Sequence, residues 1–410
     1  MFHVINLGCK VNRVEADALT ADLLAAGAQI AAADTATVII VNTCTVTAEA
    51  DTKARKAIRQ AARQPQSPWV IATGCGVNLD PVVWEALGKR IIAEPNKDVV
   101  VQRALELLSG QTLSDTEAPP IHSTEFRARR GVKVQDGCDN HCSYCIVPAA
   151  RGAARSVPLQ QIRETAQALE AEGVREIVLT GINLGRFRDV DKGLRSLLTE
   201  LLQATRSARF RLSSLEPPDC SRELLELIAA SDGRLCAHLH LPLQSGSVEV
   251  LEAMERHYDL AAYEALVHEA RATVPGIALT TDVMVGFPGE TDAQHKKSLA
   301  FCRKMAFSRM HVFRYSLRPG TTAALRGDQI DPTVKAQRAC EMRALAQELM
   351  RLDLKARVGT LERVLIERSG RGMSESYHQV RVDAQLPPGS LITMQFERLR
   401  DTLLEGIETP

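Results

Sequence analysis

Residues 137–145 read Gly-Cys-Asp-Asn-His-Cys-Ser-Tyr-Cys. Three thiols, Cys138, Cys142 and Cys145, stand in a C-x3-C-x2-C spacing. Thiolates are the usual protein ligands of iron–sulfur clusters. A four-iron cube held by three cysteines keeps one iron open to a substrate or cofactor, as the open position of a catalytic zinc site does. Two plainer readings stay open on these residues: a zinc knuckle with His141 as a crowded fourth ligand, or cysteines buried as small apolar groups. Gly131–Gln135 reads as a strand leading into the loop, which places the thiols at a strand's carboxyl end.

Downstream, strand and helix alternate. Pro158 suits the first turn of a helix running to about Glu172. Glu176–Thr180 is a strand ending in Gly181. Phe210–Ser213 leads to Glu216, and Asp219 suits the cap of a helix through Ala230. His238–Leu241 leads to Gln244. Leu279–Val285 and Met310–Tyr315 complete six β/α units across residues 127–357, an open partial barrel with its polar and Gly-rich segments at the carboxyl ends of the strands. Asp331-Pro332 opens a long helix over 332–357, whose Val334, Leu345, Leu349 and Leu352 suit packing on the barrel flank. Cys220, Cys236, Cys302 and Cys340 lack ligand spacing and read as small hydrophobes or surface thiols. His257, His268 and His295 fall in helices and read as solvated. In residues 358–410, Leu361–Glu367, Tyr377–Val382 and Leu391–Glu397 alternate apolar and polar residues between Gly- and Pro-containing turns, the pattern of a small β-barrel.

Upstream, Phe2–Leu7, Thr37–Val41 and Trp69–Ala72 are strands; helices follow over 13–26, Ala48–Gln64 and Asp98–Leu108. This alternation implies a doubly wound parallel sheet for residues 1–108. Such sheets bind ligands outside the carboxyl ends of their strands, and each of these strands delivers one cysteine there: Cys9, Cys44 and Cys75. Convergence of three thiols on one rim reads as a second three-cysteine cluster site. Gly8, Gly74 and Gly76 would let backbone approach a bulky cofactor. Residues 109–126, rich in Ser, Thr and Pro, read as a linker.

The chain of 410 residues suits two to three domains. Lys plus Arg equals Asp plus Glu, 50 each, so any nucleic-acid partner must meet a local basic surface. Ten cysteines are too sparse for a disulfide scaffold, and ligating thiols need a reducing compartment. No stretch approaches the ~18 apolar residues of a membrane helix, so a soluble, cytoplasmic protein without membrane association is expected.

The Cys138–Cys145 loop resembles that of radical S-adenosylmethionine (SAM) enzymes, with Tyr144 where the superfamily often has an aromatic. Three upstream segments sharpen this: Leu-Gly-Cys-Lys-Val-Asn at 7–12, Val-Asn-Thr-Cys-Thr-Val-Thr at 41–47 and Thr-Gly-Cys at 73–75. With Val-Gln-Asp-Gly-Cys-Asp-Asn at 134–140, His-Leu-Pro-Leu-Gln-Ser-Gly at 240–246 and Asp-Val-Met-Val-Gly-Phe-Pro-Gly-Glu-Thr at 282–291, they resemble the methylthiotransferases. Lys10-Val11-Asn12 most resembles the branch that modifies N6-threonylcarbamoyladenosine in tRNA; other branches, acting on isopentenyladenosine or a ribosomal-protein aspartate, usually differ after the first cysteine. The resemblance implies two [4Fe–4S] clusters, one on Cys138, Cys142 and Cys145 that splits SAM to a 5′-deoxyadenosyl radical, the other on Cys9, Cys44 and Cys75. The latter holds a sulfur that a second SAM methylates, and the methylthio group passes to C2 of the modified adenosine beside the anticodon. SAM-contact candidates are Tyr144, Thr180, Gly181, Glu216 and Gln244. The C-terminal module resembles a TRAM domain, with Arg363, Arg368, Arg371, Arg381, Arg398 and Arg400 as candidate phosphate contacts. Arg151 and Arg155 are further candidates for RNA affinity. Implied partners are the tRNA anticodon stem-loop and an electron donor such as flavodoxin or ferredoxin. A non-enzymatic iron–sulfur RNA-binding protein is the competing reading; two open irons argue against it.

Overall fold

A computed structural model describes residues 1–110 and 128–409. The expected linker, from residue 111 onward, lies outside the described residues.

Four parallel strands, β1 (Phe2–Asn6), β2 (Val38–Thr43), β3 (Trp69–Gly74) and β4 (Ile91–Ala93), pair in that order. The β-branched run from Val38 to Val41 drives β2, and all its residues are buried, as befits a parallel strand covered on both faces. Helix α1 (Lys10–Ala25) and the helix Val100–Ser109 cover one face through Leu19, Leu23, Val100 and Ala104. Helix α2 (Ala48–Ala62) covers the other through Ala54, Ile58 and Ala61, giving the doubly wound arrangement. Strand β4 goes unannounced in the sequence because three residues carry no period.

Six further parallel strands follow: β5 (Arg129–Lys133), β6 (Glu176–Thr180), β7 (Arg209–Leu212), β8 (His238–His240), β9 (Ala278–Val285) and β10 (Arg309–Arg314). They form two triples, β5-β6-β7 and β8-β9-β10, joined by bridges Phe210↔Leu235 and Ser214↔His240. Among the described residues β5 and β10 do not pair, so the barrel is open. Helix α1 lies along β5, where a Cβ on Gly131 would meet Val14 at 2.3 Å. The helix Pro332–Ala356, capped by Asp331, lies along β10 and buries Ala339, Met342, Leu345 and Leu349. Leu352, expected in that stripe, is exposed, whereas Leu354 enters the core of the C-terminal module.

Some local expectations change. Pro158 is the N-cap of Leu159–Ala171, not part of its first turn. Ser221, not Asp219, caps Arg222–Ala230: its hydroxyl accepts from Leu224 N–H at 3.3 Å. His295 is buried against Glu341 at 3.0 Å rather than solvated, and His257 lies in a bend outside the helices. Cys220, Cys236 and Cys302 are buried and Cys340 is exposed, as expected of small hydrophobes and a surface thiol.

The C-terminal module is a closed barrel of five strands, Leu361–Arg368, Arg371–Ser374, Gln379–Arg381, Leu391–Arg400 and Leu403–Thr409. Tyr377 was expected to open a strand; it sits instead in the preceding turn, in the left-handed region at φ +68°.

Candidate active site

The three strand ends of the N-terminal sheet bring Cys9, Cys44 and Cys75 together. Asn12 Oδ1 lies 3.6 Å from Cys9 Sγ and 4.0 Å from Cys75 Sγ. Asn12 Nδ2 donates to the carbonyls of Leu7 (2.9 Å) and Thr43 (2.8 Å), tying the end of β1 to the end of β2. Gly8 and Gly74 have φ of +111° and +98°. A Cβ on Gly8 would lie 2.9 Å from Cys44 Sγ, and one on Gly74 would lie 2.6 Å from the Thr43 carbonyl. These glycines are therefore required by the packing of the thiol loops on each other, whatever cofactor they face. Burial pushes the Cys44 and Cys75 thiols up, and the neighbouring thiols add to it.

The second trio is local. Its loop is held by Ser143, whose N–H donates to the Met254 carbonyl (3.1 Å) and whose hydroxyl donates to the Ala253 carbonyl (2.8 Å). Its own carbonyl accepts from Ala323 N–H at 2.8 Å. Burial, with Cys142 and Cys138 nearby, pushes the Cys145 thiol up to about 12. Arg256 Nη1 donates to Cys142 Sγ at 3.3 Å, and Nη2 pairs with the Glu216 carboxylate. The sequence offered no sign of Arg256, which lies more than a hundred positions from the loop.

Cys9 of the first trio and all three thiols of the second, Cys138, Cys142 and Cys145, line one cavity of about 460 Å³. Tyr144, Gly181, Glu216 and Gln244 line it too. Tyr144 meets Phe287 edge-on at 6.5 Å. Gln244 is in the left-handed region at φ +62°, its backbone held between Asp282 and Met284 at 2.8 Å each. Thr180 is not brought to this lining: it is buried and its hydroxyl donates to the Val132 carbonyl at 3.3 Å.

The thiol spacing bears on what the trios can hold. Among the described residues, the His/Cys/Asp/Glu trio with all ligand atoms within 4.8 Å is His240, Asp282 and His311. Neither cysteine trio is drawn that tight. A tetrahedral zinc with bonds of about 2.3 Å brings its sulfurs to within about 4 Å of one another, so each trio as it stands is set wider than a zinc would draw it.

Arg151 departs from expectation. It is buried, 7% exposed. Its Nε donates to Cys75 Sγ (3.1 Å), Nη2 to Asn12 Oδ1 (2.7 Å), and Nη1 to Glu15 (3.0 Å) and Asp136 (2.8 Å). One guanidinium thus joins the loop after Cys145 to the N-terminal thiols. Lys97 and Lys133 also pair with Glu15. Burial would raise the Glu15 carboxyl, but Lys97 and Arg151 outweigh it and hold it at about 2. Arg155, by contrast, stays exposed and pairs with Asp136 at 2.9 Å.

The C-terminal arginines divide. Arg363 is turned inward, onto the Asp232 carbonyl of the central barrel. Arg381 and Arg398 share Glu405, at 3.1 and 2.8 Å. Arg371 is half-buried, and Arg368 and Arg400 are exposed. The module docks on two arginines that the sequence reading passed over. Arg209 and Arg211, both buried, pair with Glu176 and donate to the carbonyls of Arg363, Met373, Ser374 and Glu375. Burial pushes the Glu176 carboxyl up, yet Arg211 and Arg209 hold it well below the usual carboxylate range. This docking carries Tyr377 into the lining of the cavity.

The sequence pattern of the Radical SAM superfamily matches residues 132–302, and that of the uncharacterized protein family UPF0004 matches residues 1–100. The chain is 36% identical over 371 residues to threonylcarbamoyladenosine tRNA methylthiotransferase MtaB of Bacillus subtilis, covering 85% of this chain and 80% of that protein. The MtaB of Chlamydia pneumoniae is 33% identical, covering 99% and 97%. The tRNA-2-methylthio-N(6)-dimethylallyladenosine synthase of Sphingopyxis alaskensis is 34% identical, covering 90% and 87%. Among solved structures, the radical SAM methyltransferase TsrM of Kitasatospora setae shares the fold with a TM-score of 0.58 at 16% identity, over 79% of this chain and 76% of that one. With these alignments running through both thiol regions, the chain belongs to the radical SAM methylthiotransferase family.

Proposed function

We propose that the protein methylthiolates C2 of N6-threonylcarbamoyladenosine, beside the anticodon of tRNA. The observation that carries this reading is the cavity that Cys9 of one trio shares with all three thiols of the other. The names of the MtaB relatives support the substrate. Cys138, Cys142 and Cys145 would hold one [4Fe–4S] cluster, and Cys9, Cys44 and Cys75 the other. Loaded with these clusters and SAM, the site supplies radical cleavage of an unactivated C–H bond and a source of sulfur and methyl.

The chain's own residues position and insulate. Ser143 fixes the loop against the helix that ends at Ala253. Arg256 places Glu216 beside Cys142, where the carboxylate can meet the cationic or amino groups of SAM. Tyr144, Gly181 and Gln244 complete that wall. Arg151 donates to Cys75 and, through Asn12, sets the spacing of the other trio. Residues 1–108 are thus the sulfur-bearing domain, 127–357 the radical-generating domain and 358–410 the RNA-facing module, with Arg368 and Arg400 exposed on it. Among the described residues no helix is long and apolar enough to cross a membrane. A cytoplasmic setting with a flavodoxin or ferredoxin donor suits the reduced thiols.

The test is anaerobic reconstitution with iron and sulfide, then turnover with an anticodon stem-loop carrying threonylcarbamoyladenosine. Mass spectrometry should show the 2-methylthio nucleoside and 5′-deoxyadenosine. A dimethylallyl-modified loop turned over in its place would move the protein to the activity named for the Sphingopyxis relative.

A further inference from the structure

The part of the cavity wall made by Lys10, His238, His311 and Tyr377 has a charge imbalance. Tyr377 enters there, among residues that open their strands: Arg129 opens β5, His238 opens β8 and Arg309 opens β10. Four cations face the Tyr377 ring. Arg211 is neutralised by Glu176 at 2.7 Å and Arg129 by Glu367 at 2.6 Å. Lys10 and Arg309 stand 5.2 and 5.9 Å from the ring centroid, and among the described residues neither has a carboxylate partner. The two carboxylates that line the cavity are engaged elsewhere: Glu216 on Arg256, and Asp282 at 3.3 Å from His240. His238, stacked on Tyr377 at 4.8 Å, is 1% exposed and its Nδ1 has no partner.

Unpaired cations and an unused imidazole nitrogen in a recess call for an anionic, hydrogen-bonding guest. The two nucleosides named for the relatives differ in this respect. A dimethylallyl group is apolar, whereas a threonylcarbamoyl group ends in a carboxylate and a hydroxyl. C2 and the N6 substituent lie on opposite sides of N1 in adenine. The exocyclic bonds at C2 and C6 therefore diverge, and a base that presents C2 to a thiol trio turns its N6 side chain toward a different part of the cavity wall. Lys10 follows Cys9 directly, so the turn that places a thiol in the cavity wall also places this ammonium.

We propose that Lys10, with Arg309 as a second unpaired cation at the Tyr377 ring, reads the carboxylate of the threonylcarbamoyl group and sets the choice of substrate. This rests on the substrate reading above. A charge-assisted hydrogen bond formed in a recess and then lost is worth roughly 10- to 100-fold in affinity.

The test compares stem-loops carrying threonylcarbamoyladenosine as the free acid and as its neutral methyl ester. Binding to the cluster-loaded enzyme is measured directly, with iron content matched between variants. Wild type should bind the acid roughly 10- to 100-fold more tightly than the ester. Lys10→Gln should lose most of that ratio, Lys10→Arg should keep it, and Arg309→Gln should reduce it in part. An unchanged acid-to-ester ratio in Lys10→Gln overturns the inference, as does a wild type indifferent to the ester. Should wild type methylthiolate neither loop while still binding the acid more tightly through Lys10, the substrate reading falls and the carboxylate subsite stands.

Discussion

The two thiol trios are built in opposite ways. Cys138, Cys142 and Cys145 lie within a single loop that one residue, Ser143, anchors on three sides. Cys9, Cys44 and Cys75 come from three strand ends and meet because Asn12 and Arg151 hold those ends together. A local trio depends on its loop conformation and little else. A distributed trio depends on the whole sheet and on the contact between two domains, so distant damage should reach it first.

The largest expected effect separates the trios by chemistry. Alanine at Cys138, Cys142 or Cys145 should abolish both 5′-deoxyadenosine formation and methylthiolation. Alanine at Cys9, Cys44 or Cys75 should spare SAM cleavage and abolish methylthiolation. Joint loss of both products in all six variants, with protein still folded by circular dichroism, would erase the division.

Next comes Arg151→Met. It takes one cation from Glu15, which keeps Lys97 and Lys133, and one from Asp136, which keeps Lys133 and Arg155; losing these charge-assisted bonds typically costs roughly 3 kcal/mol, and the donor to Cys75 goes with them. Urea unfolding should shift by that amount, and bound iron should fall toward half, with the loss confined to the distributed trio. Loss of iron from the Cys138 loop instead would reverse the comparison.

Acid should act on the same contact. Glu15 has its folded value lowered to about 2 from 4.5. Its contribution is complete above pH 4.5 and disappears as pH falls toward 2, to a total of about 3 kcal/mol. Glu15→Gln should flatten stability across that window, and a wild-type profile that is itself flat there counts against the buried pairing. The smallest effect is on the local side: Ser143→Ala removes one hydrogen bond and should cost about 1 kcal/mol, with the iron content of the distributed trio unaltered.

The same contrast governs what could be read beforehand. The local trio is visible as spacing, because its ligands are neighbours in the chain. The distributed trio is visible more indirectly, since a strand–helix alternation predicts which ends share a rim. Arg151 could be seen in the sequence, but its partners could not: an arginine three residues after Pro148 reads as surface until Glu15, Asp136 and Cys75 are found around it. Arg363 likewise reads as a phosphate contact, and proves to be turned onto Asp232. Thr180, one position from the cavity wall, points its hydroxyl the other way because neighbouring residues of a strand face opposite sides.

The sequence by itself determined the two sets of thiols, the parallel α/β alternation and the appended β module, because spacing and periodicity are properties of the chain. Only the tertiary structure decided that Cys9 of one set and all three thiols of the other line one cavity, that buried arginines join the three parts, and that Tyr377 and Lys10 meet in the wall of that cavity. Those facts depend on which side chains face each other across long stretches of chain, and a charge shows whether it is paired or free only once its neighbours are in place.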